Sequence, residues 1–247
     1  MDKKIKHHLV VILDKSGSMN SIADQAVATF NEQVQTARAR SKDFDIVVTL
    51  VTFNYDIYFE RVAESIDKVK DLSRHEYMPN GNTALNDAVA AAIDKTKEWT
   101  EKQNEKVDVL ICIISDGEEN ASRKYPRIGN KDLAEIVQTM QQKHGWSFVF
   151  SGTNDYDLSK TAVAMNIPAG NVTSFKRSDS GVKQFASTYT AATDHYYGMR
   201  SSQRSLGDVK IADSVKCFYS DTTLDDTLND KNPDKNLPKS NDLKEKK

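Results

Sequence analysis

Short apolar runs alternate with stretches of helical periodicity, and this alternation constrains the fold of the chain more than any other feature. The runs His8–Leu13 and Val107–Ile114 are continuous and rich in branched residues, which is typical of strands buried on both faces. Between them, apolar side chains recur at helical spacing in two stretches: Ala23, Val27, Phe30, Val34 and Ala37, then Leu85, Ala88, Val89, Ala92 and Ile93. The pattern therefore predicts strands separated by covering helices.

The remaining elements follow from the same signals. Further strands are predicted at Phe44–Phe53 and Trp146–Phe150, with an edge strand at Asn171–Phe175. Ile57–Val62 follows turn residues and predicts a strand that returns antiparallel in a hairpin. Ser21–Asp24 resembles a capping box at the start of the first helix. Helices are also predicted around 133–140, near 163 and over 182–196, and residues 198–220 are expected to be irregular.

Alternating strands and helices predict an α/β fold with a doubly wound, mostly parallel, Rossmann-like sheet. The hairpin adds one antiparallel edge strand, and helices are expected on both faces of the sheet. Ligands of such folds bind beyond the carboxyl ends of the strands, where the strand order reverses. The residues that follow the most buried strands are therefore the first candidates for a functional site.

Composition excludes several classes of protein. The 247 residues have a formal charge of -2, with 34 basic and 36 acidic side chains, which argues against binding nucleic acid through bulk charge. No run is apolar and long enough for a membrane span, and Leu9–Leu13 is too short for the core of a signal peptide. Cys112 and Cys217 form no disulfide framework, so a reducing, cytoplasmic location is expected.

The apolar content also predicts the domain organisation. Residues 1–200 are expected to form one domain, and 201–220 an irregular extension. Residues 221–247 contain seven acidic residues, six lysines and no aromatic residue, so they are predicted to be a disordered tail.

Oxygen-bearing side chains cluster at three strand or loop ends. Asp14, Ser16 and Ser18 follow the first strand, and Asp116 follows the strand 107–114. Thr83 stands just before the second helix. If the strands that end at Asp14 and Asp116 are neighbours, their carboxylates repel each other unless a cation lies between them. Carboxylate and hydroxyl oxygens suit Mg²⁺, or Mn²⁺, and the absence of His and Cys from these loops argues against zinc.

These residues resemble the metal-ion-dependent adhesion site of von Willebrand factor A domains, over about residues 5–197. The resemblance implies that Ser16 and Ser18 bind Mg²⁺ directly and that Thr83 binds it directly or through water. It implies that Asp14 and Asp116 hold metal-bound waters, and that one coordination position stays open for a Glu or Asp of a partner protein. The expected protein is an intracellular prokaryotic or phage type that acts as a scaffold or adaptor and not as an enzyme.

The loop that follows Asp116 supplies the predicted partner contacts. Glu118 and Glu119 lie next to the acidic turn, and Arg123, Tyr125 and Arg127 follow within the same loop. Cations and an aromatic side chain beside a metal site suit an acidic partner segment. A solvated loop whose charges serve only solubility explains the same residues equally well.

Two other functions compete with the binding module. A phosphoryl-transfer or other hydrolytic enzyme would use Asp14 at the end of the first strand, but Ser16 occupies the position where a general acid is needed. A self-assembling structural protein would place an acidic residue of the tail, such as Asp225, in the metal site of a neighbouring copy.

Overall fold

The computed structural model describes residues 4–116, 119–153, 158–176, 178–206 and 218–219. Its strands are β1 (Ile5–Asp14), β2 (Phe44–Phe53), β3 (Ile57–Ser65), β4 (Asp108–Ile114), β5 (Ser147–Thr153) and β6 (Val172–Phe175). Its α-helices are α1 (Ala23–Ala39), α2 (Leu85–Thr100), α3 (Lys131–His144), α4 (Leu158–Ala164) and α5 (Asp179–Leu206). Short 3-10 helices occupy Gly17–Ile22 and Ala169–Asn171.

The six strands form a single sheet in the order β3-β2-β1-β4-β5-β6. All neighbouring pairs are parallel except β2 and β3, which pair antiparallel at one edge. The strand order reverses between β1 and β4, whose residues Leu13 and Ile114 are partners near their carboxyl ends. The predicted doubly wound sheet with one antiparallel edge strand is confirmed.

Two hydrophobic cores lie on opposite faces of this sheet because side chains of a strand alternate between its faces. Leu9, Val11 and Leu13 of β1 pack with α1 and α5 in one core. Val10 and Ile12 pack in the other core, which α2, α3 and α4 cover. Burial on both faces explains why the central strands are continuously apolar rather than alternating.

Two local predictions were wrong. The helix α1 begins without the capping box predicted at Ser21–Asp24: its N-cap residue is Ile22, without a side-chain cap, because the preceding 3-10 helix runs directly into it. Helix α5 continues to Leu206, so residues 198–206 are helical rather than irregular. Aromatic residues of α5 that pack under the sheet, Tyr196 and Tyr197 among them, anchor this longer helix.

The C-terminal part of the chain is described only in part. Phe218 and Tyr219 are buried: the backbone N–H of Tyr219 donates to the carbonyl of Gly170, and the Tyr219 hydroxyl lies 3.0 Å from Ser151 Oγ. The predicted disordered tail 221–247 lies outside the described residues. Of the helices that are described, none is long and apolar enough to cross a membrane.

Candidate metal centre

The site forms at the carboxyl edge of the sheet, where the ends of β1 and β4 are adjacent. Asp14 is the last residue of β1, and Ser115 and Asp116 directly follow β4. The pairing of these two strands brings Asp14, Ser115 and Asp116 together, as the sequence predicted for Asp14 and Asp116.

The carboxylate of Asp14 is fully buried and held from two sides. Its Oδ1 accepts a hydrogen bond of 2.7 Å from the backbone N–H of Ser16, and its Oδ2 accepts one of 2.6 Å from Ser115 Oγ. The Tyr77 hydroxyl donates to the carbonyl of Asp14, which fixes the end of the strand. Burial, with a smaller contribution from the charge of Asp116, raises the pKa of Asp14 to about 6 against the opposing effect of these hydrogen bonds. A positive charge nearby would relieve this unfavourable burial of a carboxylate.

The hydroxyls of Ser16 and Ser18 and a carboxylate oxygen of Asp116 form a chain of close oxygen atoms. Ser16 Oγ lies 3.1 Å from Ser18 Oγ, and Ser18 Oγ donates to Asp116 Oδ1 at 2.8 Å. Neighbouring ligands of an octahedral Mg²⁺, each about 2.1 Å from the metal, lie about 3 Å apart. The Ser16–Ser18 distance therefore matches one edge of such an octahedron, and Asp116 lies beside it, hydrogen-bonded to Ser18.

Thr83 is buried at the same rim, and its backbone joins the loops of the site. Its N–H donates to Asn120 Oδ1 at 2.9 Å, and its carbonyl accepts from the backbone of Asn120 and Ala121 at 3.0 and 3.1 Å. The N–H of Gly17 donates to the carbonyl of Gly81 at 2.9 Å, which ties the first loop to the segment that holds Thr83. The fold thus gathers all three predicted segments.

The donor set fits a hard divalent cation. Oxygen atoms alone converge here, and in the described residues no three His, Cys, Asp or Glu side chains form a metal-binding group. Two serine hydroxyls and few carboxylates leave an ion with net positive charge, unlike an all-carboxylate cage. Mg²⁺ and Mn²⁺ prefer such oxygen ligands together with waters.

Several residues that shape the site were missed by the sequence analysis. Ser115, Tyr77 and Asn120 position Asp14 and Thr83 through the hydrogen bonds given above. Ser115 carries a recognisable signal, because it stands at the end of a buried strand directly before Asp116. Tyr77 and Asn120 act across long sequence separations, and no local pattern indicates them.

Aromatic and apolar side chains border the site on the β3 side, and this border was also missed. Tyr55 and Met78 are 49% and 60% exposed. A Cβ atom at Gly81, where φ is +75°, would lie 2.5 Å from the Tyr55 ring, so only glycine allows this ring to pack against the loop. The Lys15 ammonium lies 5.4 Å from the centre of the Tyr58 ring and forms a 4.0 Å ion pair with Glu60.

The predicted partner residues divide into two groups. Glu119 and Tyr125 are buried: the Glu119 carboxylate accepts hydrogen bonds within its own loop, and the Tyr125 ring packs in the core beneath α2 and α3. Arg123 and Arg127 are exposed. Glu118 lies outside the described residues.

The fold and the site together define an α/β domain with a cluster of oxygen ligands at the carboxyl edge of its sheet. The family model of the von Willebrand factor type A domain matches residues 8–188. The chain therefore belongs to the von Willebrand factor type A domain family. No curated protein matches the sequence.

Solved structures show the same fold at low sequence identity. The chain is similar to the ArnB paralog VWA2 from Sulfolobus acidocaldarius, with a TM-score of 0.50 and 17% identity over 77% of this chain and 45% of that one. The D319A mutant of the PilB minor pilin from Streptococcus sanguinis gives a TM-score of 0.55 and 9% identity over 84% of this chain and 64% of that one. The vWF domain of the type V pili tip protein Mfa5 from Porphyromonas gingivalis gives a TM-score of 0.52 and 10% identity over 76% of this chain and 96% of that one. This chain thus spans less than half of the Sulfolobus protein and nearly all of the pilus-tip domain.

Proposed function

We propose that this chain is a metal-dependent binding module that captures an acidic side chain of a partner protein. The observation that supports this proposal most is the 3.1 Å separation of the Ser16 and Ser18 hydroxyls, which suits neighbouring ligands of an octahedral ion, beside the buried carboxylates of Asp14 and Asp116. Membership of the von Willebrand factor A family agrees with a site of this kind.

Each residue has a distinct part in the proposed site. Ser16 and Ser18 would bind Mg²⁺ through their hydroxyls, and Thr83 would bind directly or through water. Asp14 and Asp116 would hold metal-bound waters, with Ser115 and the Ser16 backbone orienting Asp14. The bound ion supplies an electrophilic centre with a position for an outside oxygen ligand.

A partner carboxylate is the ligand that this environment favours. The hydroxyls are neutral, so a negatively charged ligand from outside gains more here than at a site already neutralised by carboxylates. The exposed ring of Tyr55, which packs against Gly81 next to the first loop of the site, would exclude water from the bound pair and strengthen the attraction.

Binding explains the site better than catalysis. A hydrolase that uses Asp14 as nucleophile needs an accessible carboxylate oxygen. Asp14 is instead fully buried, and each of its oxygens already accepts a hydrogen bond. We therefore propose a role as scaffold or adaptor in a reducing compartment such as the cytoplasm, in keeping with the unpaired, buried Cys112.

The test is capture of partner proteins by the immobilised chain in Mg²⁺ and in chelator, after Mg²⁺ binding is measured by calorimetry. The wild type is expected to bind Mg²⁺ and to retain its partner only when Mg²⁺ is present. Asp14→Ala should lose both properties, whereas Asp45→Ala, an exposed residue at the opposite edge of the sheet, should keep them. Equal capture of the same partner in chelator would contradict the proposal.

A further inference from the structure

The loop that follows the site is folded against the start of α2 by two inward-facing carboxylates. Glu119 accepts hydrogen bonds from the backbone N–H groups of Asn86, Ala121 and Ser122, at 2.8, 3.1 and 2.7 Å, and from Ser122 Oγ at 2.7 Å. Asp87 accepts from the backbone N–H groups of the next three residues, Arg123, Lys124 and Tyr125, at 2.7, 3.2 and 2.9 Å. Glu119 and Asp87 therefore bind backbone N–H groups, and neither forms an ion pair with Arg123 or Arg127.

The cations of the loop face solvent. Arg123 and Arg127 are exposed, and neither forms an ion pair with any residue in the described part of the chain. Lys124 differs from them, because its ammonium lies 5.1 Å from the centre of the Tyr125 ring. Two guanidinium groups thus remain available on a loop whose backbone is already ordered.

Arg127 has an unusual backbone conformation for its residue type. Its φ is +75°, in the left-handed region that glycine adopts most easily. Asn86 Nδ2 holds this conformation by donating to the carbonyls of Tyr125 and Arg127, both at 2.8 Å. The loop thus keeps an arginine at a position where glycine would be less strained.

The loop borders the proposed metal site directly. Asn120 and Ala121, at its start, are hydrogen-bonded to the backbone of Thr83, and Asp87 lies four residues after Thr83. A segment bound at the metal that continues towards the start of α2 would therefore pass along this loop. Guanidinium groups form strong paired hydrogen bonds with carboxylates.

We propose that Arg123 and Arg127 bind a second carboxylate of the same partner segment that supplies the metal ligand. The partner is then an acidic peptide segment with one Asp or Glu at the metal and another about two to four residues along, a spacing of roughly 7–14 Å in an extended chain. This inference rests on the proposed function, since the metal positions the first carboxylate.

The test selects random peptides of about ten residues, long enough to cover both sites, on the immobilised full chain in Mg²⁺ and in chelator. Peptides enriched in Mg²⁺ on the wild type are expected to contain two acidic residues at a fixed spacing. On Arg123→Glu/Arg127→Glu the first acid should persist, and enrichment of the second should fall about tenfold, as for the loss of a charge-assisted contact. The control Lys42→Glu/Lys68→Glu makes the same charge change at the opposite edge of the sheet and should select the wild-type pattern.

The outcomes separate this inference from the proposed function. Selection of a single metal-dependent acid by the wild type, or a second acid that persists on the arginine variant, overturns the inference and leaves the metal site intact. If Mg²⁺ enriches no acidic residue on the wild type, both this inference and the proposed function are overturned. The variant Arg127→Gly tests whether a loss of folding explains the result. Its melting temperature should equal or exceed that of the wild type, because glycine adopts the left-handed backbone conformation without strain. Enrichment of the second acidic residue should nevertheless fall.

Discussion

Two adjacent histidines, buried in β1, make the stability of the folded protein depend on pH. His7 and His8 are buried in β1, where His8 Nε2 lies 2.8 Å from Thr49 Oγ1. Burial lowers the pKa of His8 from 6.5 to about 3 and also lowers the pKa of His7, with a smaller contribution from Arg200. Both side chains therefore stay neutral in the folded state at pH values where the unfolded chain takes up protons.

The consequence is a loss of stability in acid. Because the pKa of His8 is lower in the folded state, its contribution to stability is complete above pH 6.5 and falls as the pH drops from 6.5 towards 3. Each such histidine contributes a slope of about 1.4 kcal/mol per pH unit in this range. His8→Leu should reduce the slope by about that amount in urea unfolding between pH 6 and 4.5. The exposed His75→Leu is the control, and an unchanged slope in His8→Leu would contradict the account.

Among the elements, α2 holds residues 123–125 of the loop after β4 through the carboxylate of Asp87. Asp87 accepts three backbone hydrogen bonds from residues 123–125. Asp87→Ala should cost about 1–3 kcal/mol and should speed amide hydrogen exchange at those three residues. Asp94→Ala, an exposed position on the same helix, should change neither quantity. Protection of these amides that survives in Asp87→Ala would show that other contacts order the loop.

Strands and helices were predictable wherever burial imposes a period on the sequence. The central strands β1 and β4 are buried on both faces, so their apolar runs mark them within three residues of their observed ends. The same property locates the site, because Asp14 and Asp116 interrupt these runs at the strand ends. The order of the strands then places the two residues side by side.

Elements governed by distant contacts were not predictable in this way. The start of α1 follows from the 3-10 helix that carries Ser18, and no capping pattern encodes it. Glu119 resembles a solvated charge in the sequence, and only the return of its loop to Asn86 shows that it is a buried acceptor. Arg123 and Arg127 were predicted as partner contacts from their place directly after the acidic turn, and that assignment remains a prediction.

At the scale of the whole molecule, the folded domain extends past the part that matches the family model. The match ends at residue 188, whereas α5 continues to Leu206 and the pair Phe218–Tyr219 packs against it. The Phe218 N–H donates to Asn171 Oδ1 at 2.9 Å, which joins this pair to the start of β6. These residues therefore complete the core on the α1 and α5 face.

Truncation tests this extended boundary. A chain that ends at residue 206 loses both aromatic side chains and should be less stable than the full chain by at least about 3 kcal/mol, the usual cost of removing one buried phenylalanine. A chain that ends at residue 220 keeps them and should retain the stability of the full chain. Equal unfolding midpoints in urea for the two truncated chains would show that Phe218 and Tyr219 contribute little.

The metal site itself is tested most directly by crystals of the full chain grown with Mn²⁺, whose anomalous scattering locates the ion without reference to any partner. The account predicts one strong anomalous peak about 2.2 Å from both Ser16 Oγ and Ser18 Oγ, with Asp14 and Asp116 linked to it through waters. The proposed site would be contradicted if crystals saturated with Mn²⁺ showed no anomalous peak at this position. A peak away from both serines would contradict it equally.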